Sequence, residues 1–357
     1  HLYHRRQRQM CIRDSGTAGT VLEMDEGHQF ARGHPGMHVF PALLAATEST
    51  TGSVSGKDFL TAFIVGYDIA ARIGLATSLN ANMHPHGTWG VIGAAAALGA
   101  LNRLDEVKLA ELLNIASSLT LATSRKTMLE GGTVRNAYTG VANQMSHMAH
   151  NLLMAGFTGE ADGIGSVFGG VVSSGFDVEA ALESIGKRFE VNRNYFKLHA
   201  CCRYNHAALD ALWILLDKHP ELQSPDQIDH INIESYFLAA ELDDQKPRNM
   251  LAARFSIPFA IATTLINRSS KVHSFTGNTL TDPATLALAA KTSISESSFM
   301  SAQLPDFRPA EVSITMKNGQ NFKAGVKTNR GDWQDPYNNA QLKEKYISLT
   351  ARRWSAK

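Results

Sequence analysis

The sequence lacks the features of several large protein classes. Only three cysteines, Cys11, Cys201 and Cys202, occur among 357 residues, which is too few for the disulfide framework of a secreted protein. The 34 basic and 33 acidic residues nearly balance, so no strong field favours nucleic acid or an acidic membrane surface. The longest run of apolar and glycine residues, Trp89 to Leu101, is too short to span a bilayer. These absences predict a cytoplasmic protein that binds neither nucleic acid nor a membrane.

Motifs for common cofactors are also missing. The glycines between Gly163 and Gly169 have the wrong spacing for a dinucleotide-binding loop. The sequence has no P-loop and no Gly-x-Ser-x-Gly nucleophile elbow. His84 and His86 are two residues apart, but no third ligand follows at a spacing typical of zinc sites. We therefore predict no metal site.

The first fifteen residues differ from the rest of the chain. Residues 1–15 are basic, show no apolar period and lack the apolar core of a signal peptide. We interpret them as a non-native or disordered leader and leave them out of the fold prediction. A genuine basic tail is the alternative.

Apolar residues recur at helical spacing in five segments of the chain. This pattern predicts helices over residues 57–76, 89–101, 106–122, 139–156 and 206–217. The segment 89–101 has no polar face, so we expect a buried central helix.

The pattern changes after about residue 190. Apolar residues alternate around 231–233, 312–316 and 322–326, and Asn318-Gly319 between the last two runs predicts a hairpin. Residues 252–266, 281–299 and 338–350 have helical patterns. The fold class is thus mainly α, with a large all-α helical domain and a smaller α+β domain. We assign residues 16–193 and 332–357 to the first domain and 194–331 to the second.

Two loops with unusual backbone residues precede apolar segments. His34 lies between Gly33 and Pro35-Gly36, a shaped loop suited to an acid or base near neutral pH. His84 and His86 precede the central helix, where a helix N-terminus lowers a histidine pKa and attracts anions. A polar surface turn is the alternative for His34.

Cationic side chains mark two further candidates. Arg135 follows a glycine-containing loop and suits a bidentate carboxylate contact, with a surface arginine as the alternative. The segment 196–211, Phe-Lys-Leu-His-Ala-Cys-Cys-Arg-Tyr-Asn-His-Ala-Ala-Leu-Asp-Ala, concentrates charged and thiol groups before a helix. It predicts either an anion-binding or acid–base site, or a basic turn with two buried thiols.

Taken together, these motifs resemble one family, the MmgE/PrpD family of 2-methylcitrate dehydratases and cis-aconitate decarboxylases. The resemblance covers residues from about 20 to 350. The matching segments, in family order, are Leu22–His28, Gly33–Gly36, His84–Thr88, the alanine-rich helix Gly90–Gly99, the Arg135 loop, Phe196–Asp210, Ala253–Phe259 and Asn329–Trp333.

The resemblance implies a helical domain and an α+β lid domain, in a homodimer that needs no metal or organic cofactor. It implies small di- or tricarboxylate substrates that lose water or CO2, or are epimerised, next to a carboxylate. It also implies that the helical domain is truncated at its N-terminus, since helices expected before Val21 are absent from the chain.

Individual roles follow from the resemblance, position by position. It implies catalytic roles for His34 as acid or base, for His84 as a second site histidine, for Lys197, and for Glu23 near a site aspartate. It implies substrate contacts for four more residues: Arg135, His206, Cys202 and Phe259.

Two positions depart from the decarboxylases in the family. Cys202 stands where they carry a histidine, and Phe259 where they carry a tyrosine. These departures argue against cis-aconitate decarboxylation and favour a cofactor-independent, dehydratase-like lyase acting on a hydroxy di- or tricarboxylic acid. The alternatives are an epimerase or isomerase of an amino- or imino-dicarboxylate, and a non-catalytic carboxylate-binding paralogue or fragment.

Overall fold

The computed structural model describes residues 2–50, 52–351 and 353, with side chains from residue 12 onward. The chain divides into two compact units, His1–Asn194 and Tyr195–Lys357. The protein is mainly α-helical, as the sequence predicts.

Helices dominate the first unit. They are α1 (Leu2–Val21), α2 (Pro35–Ser49), α3 (Gly56–Ala76), α4 (Trp89–Leu101), α5 (Glu106–Ser118), α6 (Lys126–Leu129), α7 (Tyr138–Met154), α8 (Gly163–Ser166) and α9 (Val178–Leu182). Its short strands are β1 (Gly27–His28), β2 (Thr77–Leu79) and β3 (Ser173–Phe176), and β2 pairs with β3 in antiparallel fashion. Strand β4 (Asn194–Tyr195) lies where the two units join along the chain.

The central helix α4 confirms the prediction from its composition. All its residues from Trp89 to Gly99 are buried, and α4 packs against α3, α2, α5 and α7. Glycines let α3 and α4 approach closely, because a Cβ at Gly93 would lie 2.7 Å from the carbonyl oxygen of Gly66. Ser55 and Asp105 cap α3 and α5, accepting hydrogen bonds from the amides of Asp58 and Lys108.

Helix α3 is the only described helix with the length and apolar composition of a membrane span. Core helices of globular domains share these properties, and more than half of its apolar stretch is buried inside the first unit.

The second unit combines helices with a four-stranded sheet. Its helices are α10 (His206–Lys218), α11 (Phe237–Ala240), α12 (Met250–Arg254), α13 (Ile257–Asn267), α14 (Gly277–Leu280), α15 (Pro283–Ala289), α16 (Ser298–Ser301) and α17 (Asn339–Thr350). Its strands are β5 (Ile228–Ser235), β6 (Thr292–Glu296), β7 (Ala310–Met316) and β8 (Asn321–Val326), in the order β6-β5-β7-β8. Strand β5 is parallel to β6 and antiparallel to β7.

The predicted hairpin is present. Strands β7 and β8 pair with Ala310 opposite Val326 and Thr315 opposite Asn321. Gly319 has a φ of 87°, in the left-handed region that glycine tolerates, which explains the Asn-Gly signal. Inward residues of β5 and β7, among them Ile231, Ile233 and Val312, are buried.

Two helix predictions in the second unit were wrong in detail. Residues 281–299 contain strand β6 between two short helices, because Thr292–Glu296 pairs with β5 and tertiary pairing overrides a weak helical pattern. Residues 252–266 form two helices, since Ser256 caps α13 by accepting the amide of Phe259 and so interrupts the run.

Both chain ends differ from the sequence-based domains. Residues 2–21 form one helix, so the described part of residues 1–15 is not disordered, while their non-native origin stays a prediction. Gly140 of α7 lies so close to this helix that a Cβ there would overlap the carbonyl of Arg13. Residues 332–357 group with the second unit rather than the first, and Glu344 of α17 pairs with Lys271 at 3.1 Å.

Candidate active site

Four of the predicted site residues belong to the first unit: Glu23, His34, His84 and Arg135. All four are buried, and they form one cluster. His34 is 7% exposed and Arg135 is 2% exposed, so neither is the surface residue that was the alternative. The guanidinium of Arg135 forms an ion pair with the carboxylate of Glu23. The charges of Arg135 and Glu23 both act on the pKa of His84, which places the three side chains in one electrostatic environment.

The backbone at Glu23 directs its side chain. Glu23 follows the end of α1 with a φ of 52°, a left-handed conformation that is uncommon for residues other than glycine. Its amide donates to the carbonyl oxygen of Thr20 at 3.1 Å, which closes the helix end. Such strained positions cluster at functional sites, where the surrounding structure maintains them.

His34 is oriented by acidic residues that precede it in the chain. Its Nδ1 lies 3.1 Å from Oδ2 of Asp25 and also contacts the backbone carbonyl oxygen of Glu26. Both neighbours are acceptors, so Nδ1 carries a proton. The carboxylate of Glu26 accepts the amide of Gly36 and the hydroxyl of Tyr67, which fixes the loop from its other side.

The glycine before His34 has a packing role. A Cβ on Gly33 would overlap the indole ring of Trp89, the first residue of α4. The sequence Gly-His-Pro-Gly thus brings His34 to the start of the central helix, and Pro35 begins α2 directly after it.

His84 is held in a neutral form. Its Nδ1 accepts the amide of His86 at 3.0 Å, so the proton of the neutral ring lies on Nε2. Burial, followed by the positive charge of Arg135, holds the pKa of His84 well below its usual range.

Three further residues belong to this cluster: Asp25 and His38, which no sequence motif predicted, and His86, which was a candidate only through its position before α4. The ring of His86 stacks edge-on against three other histidines, at centroid distances of 4.8 Å from His34, 4.5 Å from His84 and 5.5 Å from His38. Burial lowers the pKa of His86 well below its usual range, and that of His38 to about 4. The signals for these residues were their spacing: Asp25 is two residues from Glu23, and His38 is one helical turn after His34.

One group could hold a metal ion by geometry alone. Ligand atoms of Glu23, Asp25 and His34 lie within 4.8 Å of one another. The Arg135 guanidinium on Glu23 and the proton on Nδ1 of His34 oppose a cation there, because each competes for a ligand atom. The donor set therefore fits an acid–base cluster better than a metal centre.

The remaining four predicted residues lie in the second unit. Lys197 is fully buried. His206 begins α10, with its Nε2 3.3 Å from the carbonyl oxygen of Cys201, and burial lowers its pKa well below the usual range. Cys202 has a buried thiol, and its amide donates to the carbonyl oxygen of Arg254 at 2.8 Å.

Phe259 is a core residue of α13. It is fully buried, and its ring packs against that of Phe275 with centroids 6.3 Å apart. Its burial and its contact with Phe275 explain an apolar side chain at this position without reference to a ligand.

Much of the polar segment 196–211 is paired within the second unit. Arg203 forms an ion pair with Asp332, and His199 places Nε2 3.0 Å from the carboxylate of Asp210. These contacts anchor the segment, so its cluster of charges is in part structural.

Comparison with known proteins identifies the family. The MmgE/PrpD N-terminal domain matches residues 13–178, and the MmgE/PrpD C-terminal domain matches residues 199–357. The chain is 24% identical over 354 residues to a cis-aconitate decarboxylase of Aspergillus terreus, covering 92% of this chain and 72% of that protein. It is 24% identical over 336 residues to the cis-aconitate decarboxylase of Homo sapiens, covering 90% and 68%. The chain belongs to the MmgE/PrpD family, as its motifs predicted.

Proposed function

We propose that this protein is a cofactor-independent lyase of the dehydratase type, acting next to a carboxylate on a small hydroxy di- or tricarboxylic acid. The observation that carries the proposal is the buried cluster of His34, His84, Arg135 and Glu23. It combines two imidazoles in different hydrogen-bonding states with a cation suited to carboxylates.

Elimination of water needs a base, an acid and a cation. The base removes a proton from the carbon next to the carboxylate, the carbon–oxygen bond breaks, and the acid protonates the departing hydroxyl to give water and a double bond. A cationic side chain stabilises the negative charge that develops on the carboxylate.

His34 is suited to the role of base. Its Nδ1 proton is donated to the carbonyl oxygen of Glu26, with the Asp25 carboxylate 3.1 Å away, so its Nε2 is the atom that takes the substrate proton. The Asp25 carboxylate then stabilises the imidazolium that forms, as an acidic partner does for a catalytic histidine in other enzymes.

His84 is suited to the role of neutral hydrogen-bond donor. Its Nδ1 accepts a backbone amide, so the neutral ring presents an Nε2 proton. The low pKa keeps the ring neutral at pH 7, so we assign it to donate a hydrogen bond that polarises the leaving hydroxyl or a carboxylate oxygen. The proton that Nε2 of His34 takes from carbon is then the one delivered to the departing hydroxyl, which leaves as water.

We assign Arg135 and Lys197 to hold substrate carboxylates. The guanidinium has five donors, so Arg135 can contact Glu23 and a substrate together. Lys197 would act from the second unit, which we propose is a lid. His206 and Cys202 remain proposed contacts, and Phe259 would shape the site from the core. We also propose a cytoplasmic homodimer that needs no metal or organic cofactor.

Decarboxylation is the second candidate, because the similar proteins of Aspergillus terreus and Homo sapiens carry the name cis-aconitate decarboxylase. Against it stand Cys202 and Phe259, which lack the imidazole and the hydroxyl that the resemblance leads us to expect at these positions. An epimerase, which would remove and return a proton without loss of a group, uses the same His34 chemistry.

The test is a panel of di- and tricarboxylates, followed by ultraviolet absorbance of the new double bond, CO2 release, and deuterium incorporation at the α-carbon. We expect absorbance to rise without CO2 for at least one hydroxy acid, and His34→Ala to abolish it. His230→Ala, at an exposed strand histidine bonded to Asp229, is the matched control.

Three outcomes contradict the proposal. CO2 release identifies a decarboxylase, and deuterium exchange without a double bond identifies an epimerase. Thermal stabilisation by a carboxylate, without any turnover or exchange, identifies a non-catalytic binding protein.

A further inference from the structure

The side chain of His38 connects the two loops that carry the proposed catalytic histidines. Its Nδ1 lies 2.8 Å from the carbonyl oxygen of His34, and its Nε2 lies 3.1 Å from the amide nitrogen of Gly87. An amide can only donate, so Nε2 of His38 accepts. A carbonyl can only accept, so Nδ1 carries the proton. Both hydrogen bonds are made together only by the neutral ring in this tautomer.

The ring of His38 has no room to turn. It is fully buried in the first unit, 5.4 Å from the Trp89 ring and 5.5 Å from the His86 ring. It also lies against Gly90, where any Cβ would overlap the imidazole. Burial lowers its pKa to about 4, which agrees with a neutral ring near pH 7.

The two backbone groups that His38 binds belong to different loops. The His34 carbonyl is part of the residue that precedes α2, and Gly87 follows His84 and His86 before α4. The second loop, residues 82–88, is also held by backbone hydrogen bonds. In one of them the amide of His84 donates to the carbonyl oxygen of Thr123 at 2.8 Å. The His38 ring is thus a side-chain link between the backbone of His34 and the loop of His84.

We propose that His38 is a positioning residue that sets the separation and orientation of His34 and His84. This inference rests on the proposed function for its kinetic consequence, but its structural content does not depend on which acid is the substrate.

Ring and amide substitutions separate hydrogen bonding from volume. His38→Phe keeps the ring and removes both hydrogen bonds. His38→Asn keeps a donor near the position of Nδ1, and His38→Gln keeps an acceptor that can reach Gly87. His147→Phe is the control, since His147 of α7 is partly buried and bonds one helix carbonyl, that of Ala42, at 2.9 Å.

We expect His38→Phe to lower kcat by about 100-fold, as misplacement by roughly 1 Å can do, with KM changed much less. His38→Asn or His38→Gln should recover part of kcat, and His147→Phe should leave it unchanged. Equal kcat in His38→Phe and wild type, at a temperature where both are folded, would overturn the proposal.

A second test does not depend on activity: NMR spectra of protein labelled with ¹⁵N at histidine report which ring nitrogen carries the proton. We expect the His38 ring to show the tautomer with the proton on Nδ1. The ring signals of His34 and His84 should move in His38→Phe and stay in place in His147→Phe. Protonation of His38 on Nε2 alone, or unmoved His34 and His84 signals, would contradict the proposal. If wild type turns over no acid in the panel, the proposed function fails while this measurement still decides the role of His38.

Discussion

At the scale of single residues, the stability of the site depends on how its buried charges are paired. Arg135 and Glu23 are each nearly inaccessible, so each depends on the other for compensation. Removing one partner of a buried pair leaves an uncompensated charge, whereas replacing both often costs little.

Arg135→Met should therefore lower the free energy of unfolding by about 3–5 kcal/mol, measured by urea denaturation. The double variant Glu23→Gln with Arg135→Met should recover a large part of that loss, because no buried charge remains. A loss in the double variant equal to the sum of the losses in Glu23→Gln and in Arg135→Met would show that the pair is not coupled.

Buried histidines make stability depend on pH. Burial is the largest cause that lowers the pKa of His38, His84, His86 and His206 below the value of 6.5 expected in the unfolded chain. Below pH 6.5 the unfolded chain binds protons that the folded rings do not, so their contribution is complete above 6.5 and falls as the pH falls toward the folded pKa values.

We expect the free energy of unfolding to be lower at pH 5.5 than at pH 7.5, by roughly 1 kcal/mol for each such histidine. Urea titrations at the two pH values measure the difference. A constant free energy of unfolding across this range would show that these rings are not held neutral.

At the scale of elements, the central helix α4 determines how the site is built. Its N-terminus meets the loop of His34 through Trp89 and Gly33, and its small residues admit α3. A larger residue in this interface cannot be accommodated by a side-chain rotation, because the obstacle at Gly93 includes the backbone oxygen of Gly66.

Gly93→Ala should destabilise the protein by about 1–3 kcal/mol, although alanine favours a helix by roughly 1 kcal/mol over glycine. Gly56→Ala is the control: Gly56 begins α3, and a Cβ there meets nothing within 4 Å. Thermal denaturation of the two variants tests this, and a Gly93→Ala protein as stable as Gly56→Ala would contradict the close approach.

At the scale of the whole molecule, the proposed homodimer is directly testable. One chain has a mass of 38.8 kDa, so a dimer would have twice that mass. Several apolar side chains of the first unit are exposed, among them Val171, Val178 and Leu182, and exposed apolar groups often mark contact surfaces.

Sedimentation equilibrium should give twice the mass of one chain at micromolar concentration. If the surface around Leu182 forms the contact, Leu182→Lys should shift the mass distribution toward the monomer. Leu60→Lys is the comparison, because Leu60 is also exposed but lies on α3. A wild-type protein that sediments as a monomer would contradict the dimer.

The sequence by itself determined the strongly periodic elements. The α4 run has no polar face, and the Asn318-Gly319 dipeptide indicates a left-handed residue in a turn; each carries its signal within a few residues. The family followed from motifs in order along the chain, as did the candidates His34, His84 and Arg135.

Only the tertiary structure decided what depends on residues distant in sequence. Strand β6 forms because it pairs with β5, about 60 residues earlier. Arg135 is paired with Glu23, 112 positions away, and His38 accepts the amide of Gly87, 49 positions away. Local sequence patterns hold no information on such distant partners. Which ring nitrogen of a histidine carries the proton depends on burial and on hydrogen bonds across the fold, and residue type alone does not determine it.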